Sequence, residues 1–130
     1  MNVNEIMSQP VLATTPRASV RDIAAQLVIN GISGMPVAET DGAVIGIITE
    51  ADILQAMADG KALQSLVAQE IMTEHPITVD VTVSSDEALK ALQDHSVLRI
   101  PVTEDGHLVG IISRIDLIKA ELEPEFMTFS

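Results

Sequence analysis

The sequence contains no cysteine. A disulfide framework, a thiol active site and a zinc site built on cysteine are therefore excluded. Tryptophan and tyrosine are also absent, and the two phenylalanines, Phe126 and Phe129, both lie close to the end of the chain. A surface that reads single-stranded nucleic acid usually needs aromatic side chains on which bases stack, so this class of function is not expected.

Basic residues are scarce as well. Lysine and arginine together number 7 against 19 aspartates and glutamates, which gives a net charge of -12. A chain this acidic is repelled by nucleic acid and by anionic membrane surfaces. The mean hydropathy is +0.33, yet the apolar runs are interrupted by glycine and are far shorter than the roughly 20 residues that span a membrane. With no secretory signal visible, we expect a cytoplasmic protein without nucleic-acid or membrane partners.

The chain consists of one structural unit that occurs twice. Short motifs recur in the same order, at an offset of 65 residues in the first part of the unit and 64 in the last part. The change of offset falls just before an Asp-Gly turn, where a difference in length is easily tolerated. The matched pairs are Ile6-Met7 with Ile71-Met72, Pro36-Val37 with Pro101-Val102, Asp41-Gly42 with Asp105-Gly106, and Gly46-Ile47-Ile48 with Gly110-Ile111-Ile112.

Each copy predicts the order strand, helix, strand, strand, helix. In the first copy, an extended segment at Val11–Ala13 precedes a helix that begins after Ser19 and ends at Asn30-Gly31. The apolar face of that helix is predicted to contain Ile23, Ala24, Leu27 and Val28. Strands follow at 35–38 and 44–48 around the Asp-Gly hairpin signal, and the second helix is expected to pack Ile53, Leu54 and Met57. The second copy predicts strands at 77–79, 99–103 and 108–113, and helices at 86–95 and 114–122.

The motifs shared by the copies carry a resemblance to a known family. Each copy has an apolar residue followed by Pro-Val, then Asp-Gly, then Gly-Ile-Ile-Thr/Ser-x-x-Asp, which ends at Asp52 and Asp116. In this the chain resembles a tandem pair of cystathionine-beta-synthase (CBS) domains, a Bateman module, over roughly residues 6–122. The resemblance implies an α/β (α+β) fold with two β-α-β-β-α repeats packed pseudo-symmetrically as a disc. The expected domains are repeat 1 at 1–58, a connector at 59–70, repeat 2 at 71–122 and an acidic tail at 123–130.

The resemblance also implies two ligand clefts between the repeats. In nucleotide-binding members the aspartate holds the ribose hydroxyls, the threonine or serine faces the phosphate, and backbone before the other repeat's Pro-Val strand helps hold the base. Cleft one is then expected to contain Thr49, Asp52, Ile77, Val97, Leu98 and Arg99. Cleft two is expected to contain Ser113, Arg114, Asp116, Val11, Ile32, Ser33 and Gly34.

Two interpretations of the repeated motif remain open. Thr49-x-x-Asp52 and Ser113-x-x-Asp116 also have the form of a helix capping box, and capping is compatible with ligand binding.

The charged residues around the two clefts differ. In cleft one Arg99 would attract a phosphate and Glu50 would repel it. In cleft two Arg114 would attract a phosphate, but the position equivalent to Arg99 is Gly34, which has no side chain. These differences predict that one cleft suits a phosphate better than the other, and we slightly favour cleft one as the better phosphate site.

The expected function is a regulatory, ligand-sensing module for AMP, ADP, ATP or S-adenosylmethionine. No catalytic residue, metal site or bound cofactor is expected, because nucleophile, phosphate-loop, dinucleotide and metal motifs are missing from the sequence, and an enzyme is therefore not predicted. The expected partners are an adenine nucleotide or related small molecule and a second copy of the chain, as a homodimer. The alternative is a ligand-free module for dimerisation or partner docking.

Overall fold

The computed structural model describes residues 1–129, with side chains for residues 1–122. The predicted acidic tail, 123–130, lies outside the residues with described side chains. Helices and strands alternate along the chain, with a short 3₁₀ turn at Leu63–Ser65. In chain order the elements are α1 (Val3–Ile6), α2 (Val20–Asn30), β1 (Gly34–Ala38), β2 (Val44–Thr49), α3 (Glu50–Ala58), α4 (Ala68–Ile71), β3 (Thr73–Glu74), β4 (Val79–Asp80), α5 (Ser85–Asp94), β5 (Arg99–Glu104), β6 (His107–Ser113) and α6 (Arg114–Phe129).

The chain forms two compact units. The central unit is Leu12–Pro76, and the terminal unit combines Met1–Val11 with the chain from Ile77 onward. The segment before the first repeat's long helix therefore folds with the second repeat: the Val3 N–H donates to the Val83 carbonyl at 2.8 Å. In the central unit the Ala68 N–H makes the equivalent bond to the Ala18 carbonyl at 2.9 Å.

The central unit contains a three-stranded sheet in the order β1-β2-β3, with antiparallel pairing throughout. All five residues of β1 are buried, as expected for a strand covered on both faces. The predicted extended segment at Val11–Ala13 forms no strand, and only Thr14 bridges to Val37, in parallel. The core of this unit is aliphatic and is formed by Val20, Ile23, Leu27, Met35, Val37, Ile48, Ile53 and Ala68.

The terminal unit contains a second three-stranded sheet in the order β4-β5-β6. Here the first strand is formed: Val79 and Asp80 pair in parallel with Val102 and Thr103, and β5 pairs antiparallel with β6. Together the two sheets and their helices confirm the predicted α+β fold. The core of the unit is formed by Val3, Val81, Ala88, Leu92, Ile100, Val102 and Ile112.

The two hairpins explain the one-residue change of repeat offset. In the central unit the Glu39 N–H donates to the Ala43 carbonyl at 2.9 Å, which encloses three residues, and Gly42 has a φ of 91°. In the terminal unit Glu104 pairs with His107, which leaves the two-residue turn Asp105-Gly106 with φ values of 52° and 80°. Positive φ at both positions is typical of the two-residue type I′ turn, and a glycine with positive φ as the third residue is typical of the three-residue loop.

Three apolar side chains predicted to pack in the core lie at the surface instead. Val28 is 82% exposed, Leu54 62% and Met57 55%. In α2 the core positions are Val20, Ile23 and Leu27, and Val28 lies about 100° around the helix from Leu27. In α3 the buried residues are Ile53 and Ala56. The predicted packing of Val28, Leu54 and Met57 was therefore wrong.

Candidate functional site

The first Thr-x-x-Asp motif forms a closed capping box at the N-terminus of α3. The Thr49 N–H donates to Asp52 Oδ2 at 2.9 Å, and the Asp52 N–H donates back to Thr49 Oγ1 at 3.4 Å. The Thr49 hydroxyl also donates to Asp52 Oδ2, at 3.1 Å. Both hydrogen bonds to the carboxylate use the same oxygen, so the cap holds Asp52 through Oδ2 and leaves Oδ1 unused.

The second motif repeats this geometry at the start of α6. The Ser113 N–H and hydroxyl donate to Asp116 Oδ2 at 2.8 and 3.0 Å, and the Asp116 N–H donates to Ser113 Oγ at 3.4 Å. The capping interpretation is thus confirmed for both motifs. It leaves the ligand interpretation open, because a cap uses only one oxygen of each carboxylate.

The two carboxylates differ at the other oxygen. The Ser8 hydroxyl donates to Asp116 Oδ1 at 3.1 Å, and Asp116 is only 8% exposed. Asp52 is half-buried, and among the described side chains no hydrogen bond reaches its Oδ1. A carboxylate offers about four lone-pair positions, so Asp52 keeps about two for an added donor and Asp116 keeps about one.

Two of the other predicted segments, 32–34 and 97–99, lie next to the two helix starts. In the central unit the Ser33 carbonyl accepts the Glu50 N–H at 2.9 Å, and Gly34 pairs with Thr49. In the terminal unit Arg99 pairs with Ser113. Ile32, Ser33, Val97, Arg99, Val11 and Ile77 are half-buried, Gly34 is buried, and Leu98 and Arg114 are exposed.

Each unit therefore brings together residues that were assigned to different clefts. The central unit contains Thr49 and Asp52 of cleft one beside the segment 32–34 of cleft two. The terminal unit contains Ser113, Arg114 and Asp116 of cleft two beside the segment 97–99 of cleft one. The grouping of these residues into two ligand clefts stays a prediction.

A pocket of about 190 Å³ lies beside Asp52 in the central unit. Sites that enclose a drug-sized ligand usually measure about 300–1,000 Å³, so this pocket accommodates part of a nucleotide and not all of it. Its polar lining residues, besides Asp52, are Lys61, Asp59 and Gln55, and the Asp59 Oδ1 accepts a hydrogen bond from Gln55 Nε2 at 2.9 Å. The other lining residues are Ala56 and Ile71.

The sequence interpretation missed Ser8. It follows the repeated Ile-Met pair, and its backbone bridges to Ile111 through bonds of 2.8 and 3.3 Å. The residue at the equivalent place in the other copy is Thr73, which pairs with Ile47. The one available signal was the repeat itself, because a hydroxyl follows Ile-Met in both copies.

The described residues contain neither a cluster of metal ligands nor a membrane-spanning helix. Within residues 1–122, no three histidine or acidic side chains lie close enough together to hold a metal ion. Across the helices described up to residue 129, none combines the length and the apolar character that crossing a membrane requires.

Comparison with protein families gives two matches along the chain. A family model described as CBS domain matches residues 3–59 and again residues 67–123. Among relatives, protein MK0525 of Methanopyrus kandleri is 29% identical over 123 residues, which cover 93% of this chain and 63% of the relative. The chain spans less than a quarter of the length of some longer relatives.

Solved structures with the same fold include complexes with adenosine derivatives. CBSX2, a CBS-pair protein from Arabidopsis thaliana, has been solved with AMP; it is 27% identical, with a TM-score of 0.84 over 95% of this chain and 98% of that one. The CBS domain pair of protein MJ0100, in complex with 5′-methylthioadenosine and S-adenosyl-L-methionine, is also 27% identical, with a TM-score of 0.83 over 93% and 99% of the two chains.

Proposed function

Because the chain belongs to the CBS-domain family, we propose that it is a regulatory module that binds an adenosine-containing ligand and catalyses no reaction. The observation that carries this proposal is the carboxylate of Asp52, a residue that lines a pocket; its Oδ2 is fixed by its own helix cap, and that cap leaves Oδ1 unused. A fixed carboxylate with open lone pairs suits the vicinal hydroxyls of a ribose, since hydrogen bonds to a charged group contribute about 1.5–3 kcal/mol each.

The charge of the chain bears on which adenosine derivative is bound. A net charge of -12 repels a polyphosphate at long range. This favours AMP, an uncharged nucleoside or S-adenosylmethionine over ADP and ATP. The relatives with AMP and with S-adenosylmethionine support the same group of ligands. We propose a cytoplasmic location, where these metabolites occur.

The residues proposed to complete each site come from the sequence motifs. Ile77, Val97, Leu98 and Arg99 are proposed to join Thr49 and Asp52, and Val11, Ile32, Ser33 and Gly34 to join Ser113, Arg114 and Asp116. Regulation then requires that the ligand bind one conformation of the module better than another, because equal affinity for both shifts nothing.

Calorimetric titration tests the proposal. AMP, ADP, ATP and S-adenosylmethionine are titrated into the wild-type protein, with 2′-deoxy-AMP as the matched ligand that lacks one of the two vicinal hydroxyls. We expect AMP or S-adenosylmethionine to bind, and 2′-deoxy-AMP to bind at least about tenfold more weakly than AMP, the effect of one lost hydrogen bond to a charged group. Absence of heat with every ligand at millimolar concentration contradicts the proposal.

A second candidate function is favoured by the exposed apolar residues. Val28 and Ile29 of α2 are 82% and 79% exposed, and Leu54 and Met57 of α3 are 62% and 55% exposed. Exposed apolar side chains clustered on helices are typical of surfaces that pair with another protein. We propose that a second copy of the chain covers them, so that the module is a homodimer. Light scattering of the wild type and of Leu54→Glu tests this: a wild-type monomer at high concentration contradicts it.

A further inference from the structure

We infer that Ser8 is a built-in competitor for Asp116, so that Asp52 and not Asp116 is the ribose-binding carboxylate of this chain. The inference rests on the proposed function and adds which of two equivalent aspartates works and why. Its structural basis is the hydrogen bond of 3.1 Å from the Ser8 hydroxyl to Asp116 Oδ1, the oxygen that the helix cap leaves open.

The backbone of Ser8 is held in place by its neighbours. The Ser8 N–H donates to the Ile111 carbonyl at 2.8 Å, and the Ile111 N–H returns a bond to the Ser8 carbonyl at 3.3 Å. One residue earlier, Met7 lies against Gly110, so closely that a β-carbon on Gly110 would come within 2.5 Å of the Met7 sulfur. These contacts hold the Ser8 backbone beside Ile111, from where the exposed Ser8 hydroxyl can leave Asp116 by rotation of its side chain.

The equivalent position in the central unit lacks this contact. Thr73 pairs with Ile47, as Ser8 pairs with Ile111, and Met72 lies against Gly46 as Met7 lies against Gly110. Ser8 and Thr73 are both exposed, but among the described side chains the Thr73 hydroxyl makes no hydrogen bond to Asp52. Two equivalent carboxylates thus differ in one hydrogen bond made by the chain itself.

The number of lone-pair positions left on each carboxylate determines which aspartate can bind a ribose. A ribose presents two vicinal hydroxyls and needs two acceptor positions on the carboxylate. Asp52 accepts two hydrogen bonds from its cap, which leaves about two of its four positions. Asp116 accepts two from its cap and a third from Ser8, which leaves about one. A ribose that binds Asp116 through both hydroxyls therefore has to displace the Ser8 hydroxyl from Oδ1, and Asp116, at 8% exposed, is also less accessible than the half-buried Asp52.

Calorimetry with AMP as the probe separates the possible outcomes. We expect wild type to bind one AMP per chain, with Asp52→Ala losing this binding and Asp116→Ala retaining it. In Ser8→Ala we expect a second AMP site, at least about tenfold stronger than any residual second site in wild type. That added site disappears in Ser8→Ala/Asp116→Ala. Thr73→Ala is the matched control, and we expect it to bind as wild type does.

Three results overturn the inference. Wild type that binds two AMP molecules with similar affinity, one of them lost in Asp116→Ala, shows that Ser8 does not compete. Ser8→Ala with wild-type stoichiometry and affinity shows that the hydroxyl is irrelevant. If AMP, S-adenosylmethionine and the other ligands bind to no variant, Ser8→Ala included, the proposed function itself fails and the inference with it. In the first two cases binding persists, so the proposed function survives.

Discussion

Met72 lies directly over Gly46, so that a β-carbon at position 46 would come within 2.9 Å of Met72 Cγ and 3.0 Å of the Thr73 carbonyl oxygen. Gly110 lies under Met7 in the same way, but there the three nearest atoms all belong to the flexible methionine side chain. The repeated Ile-Met pair and the repeated glycine are thus two halves of one contact, made within the central unit by Met72 and within the terminal unit by Met7.

This contact predicts unequal costs for two equivalent substitutions. Gly46→Ala should lower the free energy of unfolding by about 1–3 kcal/mol, the usual cost of overpacking, because the Thr73 backbone cannot move aside easily. Gly110→Ala should cost less, since Met7 can change rotamer. Urea unfolding of both variants measures the difference. A larger loss for Gly110→Ala would contradict the packing described.

The residues that follow α2 and α5 occupy equivalent positions, and substitutions there are predicted to change stability in opposite directions. Gly31 follows α2 with a φ of 63°, and Ser96 occupies the corresponding position after α5 with a φ of 53°. A residue with a β-carbon is strained there by roughly 1–2 kcal/mol. Ser96→Gly should therefore stabilise the protein by about 0.5–1 kcal/mol, after the greater freedom of glycine in the unfolded chain is allowed for.

Gly31→Ala is the matched test in the other direction. No atom lies within 4 Å of a β-carbon built at position 31, so any loss of stability comes from the backbone alone. We expect a loss of about 1 kcal/mol. Thermal unfolding of Ser96→Gly and Gly31→Ala compares them, and a gain from both substitutions would argue against the left-handed geometry at one of the two positions.

The helix caps predict which hydroxyls matter for stability. The Thr49 hydroxyl accepts the Asp52 N–H, and the Ser84 hydroxyl accepts the Glu87 N–H at 3.1 Å. Replacing either by alanine should cost about 1 kcal/mol. Ser19 occupies the same place before α2 but makes no side-chain cap hydrogen bond, so Ser19→Ala should cost only a few tenths of that. Chemical unfolding of the three variants checks the order, and an equal loss in all three would contradict it.

The hydrogen bonds of Asp80, in the turn before α5, predict that the stability of the protein depends on pH. The Thr82 hydroxyl donates to Asp80 Oδ2 at 2.6 Å and the Thr82 N–H at 3.0 Å, and these bonds lower the pKa of Asp80, the hydroxyl more than the N–H. Because the folded-state pKa is lowered, the resulting stability is complete above the unfolded pKa near 3.9 and is lost as the pH falls through the folded value.

Thr82→Val tests this because it removes the hydroxyl and keeps the shape of the side chain. The pKa of Asp80 should rise toward its ordinary value, which a carboxyl-carbon NMR titration measures directly. The remaining N–H bond should keep it from reaching that value. An unchanged pKa in Thr82→Val would mean that the hydroxyl does not hold the carboxylate.

The sequence predicted much of this architecture because the repeat supplied each observation twice. The Asp-Gly turns, the Pro-Val strands and the Thr/Ser-x-x-Asp helix starts all lie where the motifs placed them. Such features depend on contacts between residues a few positions apart, and local chemistry determines them.

Long-range features could not be predicted in the same way. Periodicity gave the correct core residues Ile23 and Leu27 but wrongly added Val28, because a short helix does not show how wide its buried stripe is. The pairing of Ser8 with Ile111 and Asp116 joins positions more than a hundred residues apart, which no local pattern reveals. The difference between Asp52 and Asp116 arises from this long-range hydrogen bond of Ser8.

We propose above all that an aspartate carboxylate of the repeated motif in this CBS pair binds an adenosine-containing ligand. The most direct test of this claim is the thermal unfolding midpoint of wild type and of Asp52→Ala/Asp116→Ala, each with and without AMP or S-adenosylmethionine. A ligand at 100 times its Kd stabilises the folded state by about 2.7 kcal/mol. We predict that at least one ligand raises the wild-type midpoint by several degrees and leaves the double variant unchanged. No shift in wild type, or an equal shift in both proteins, would contradict the claim.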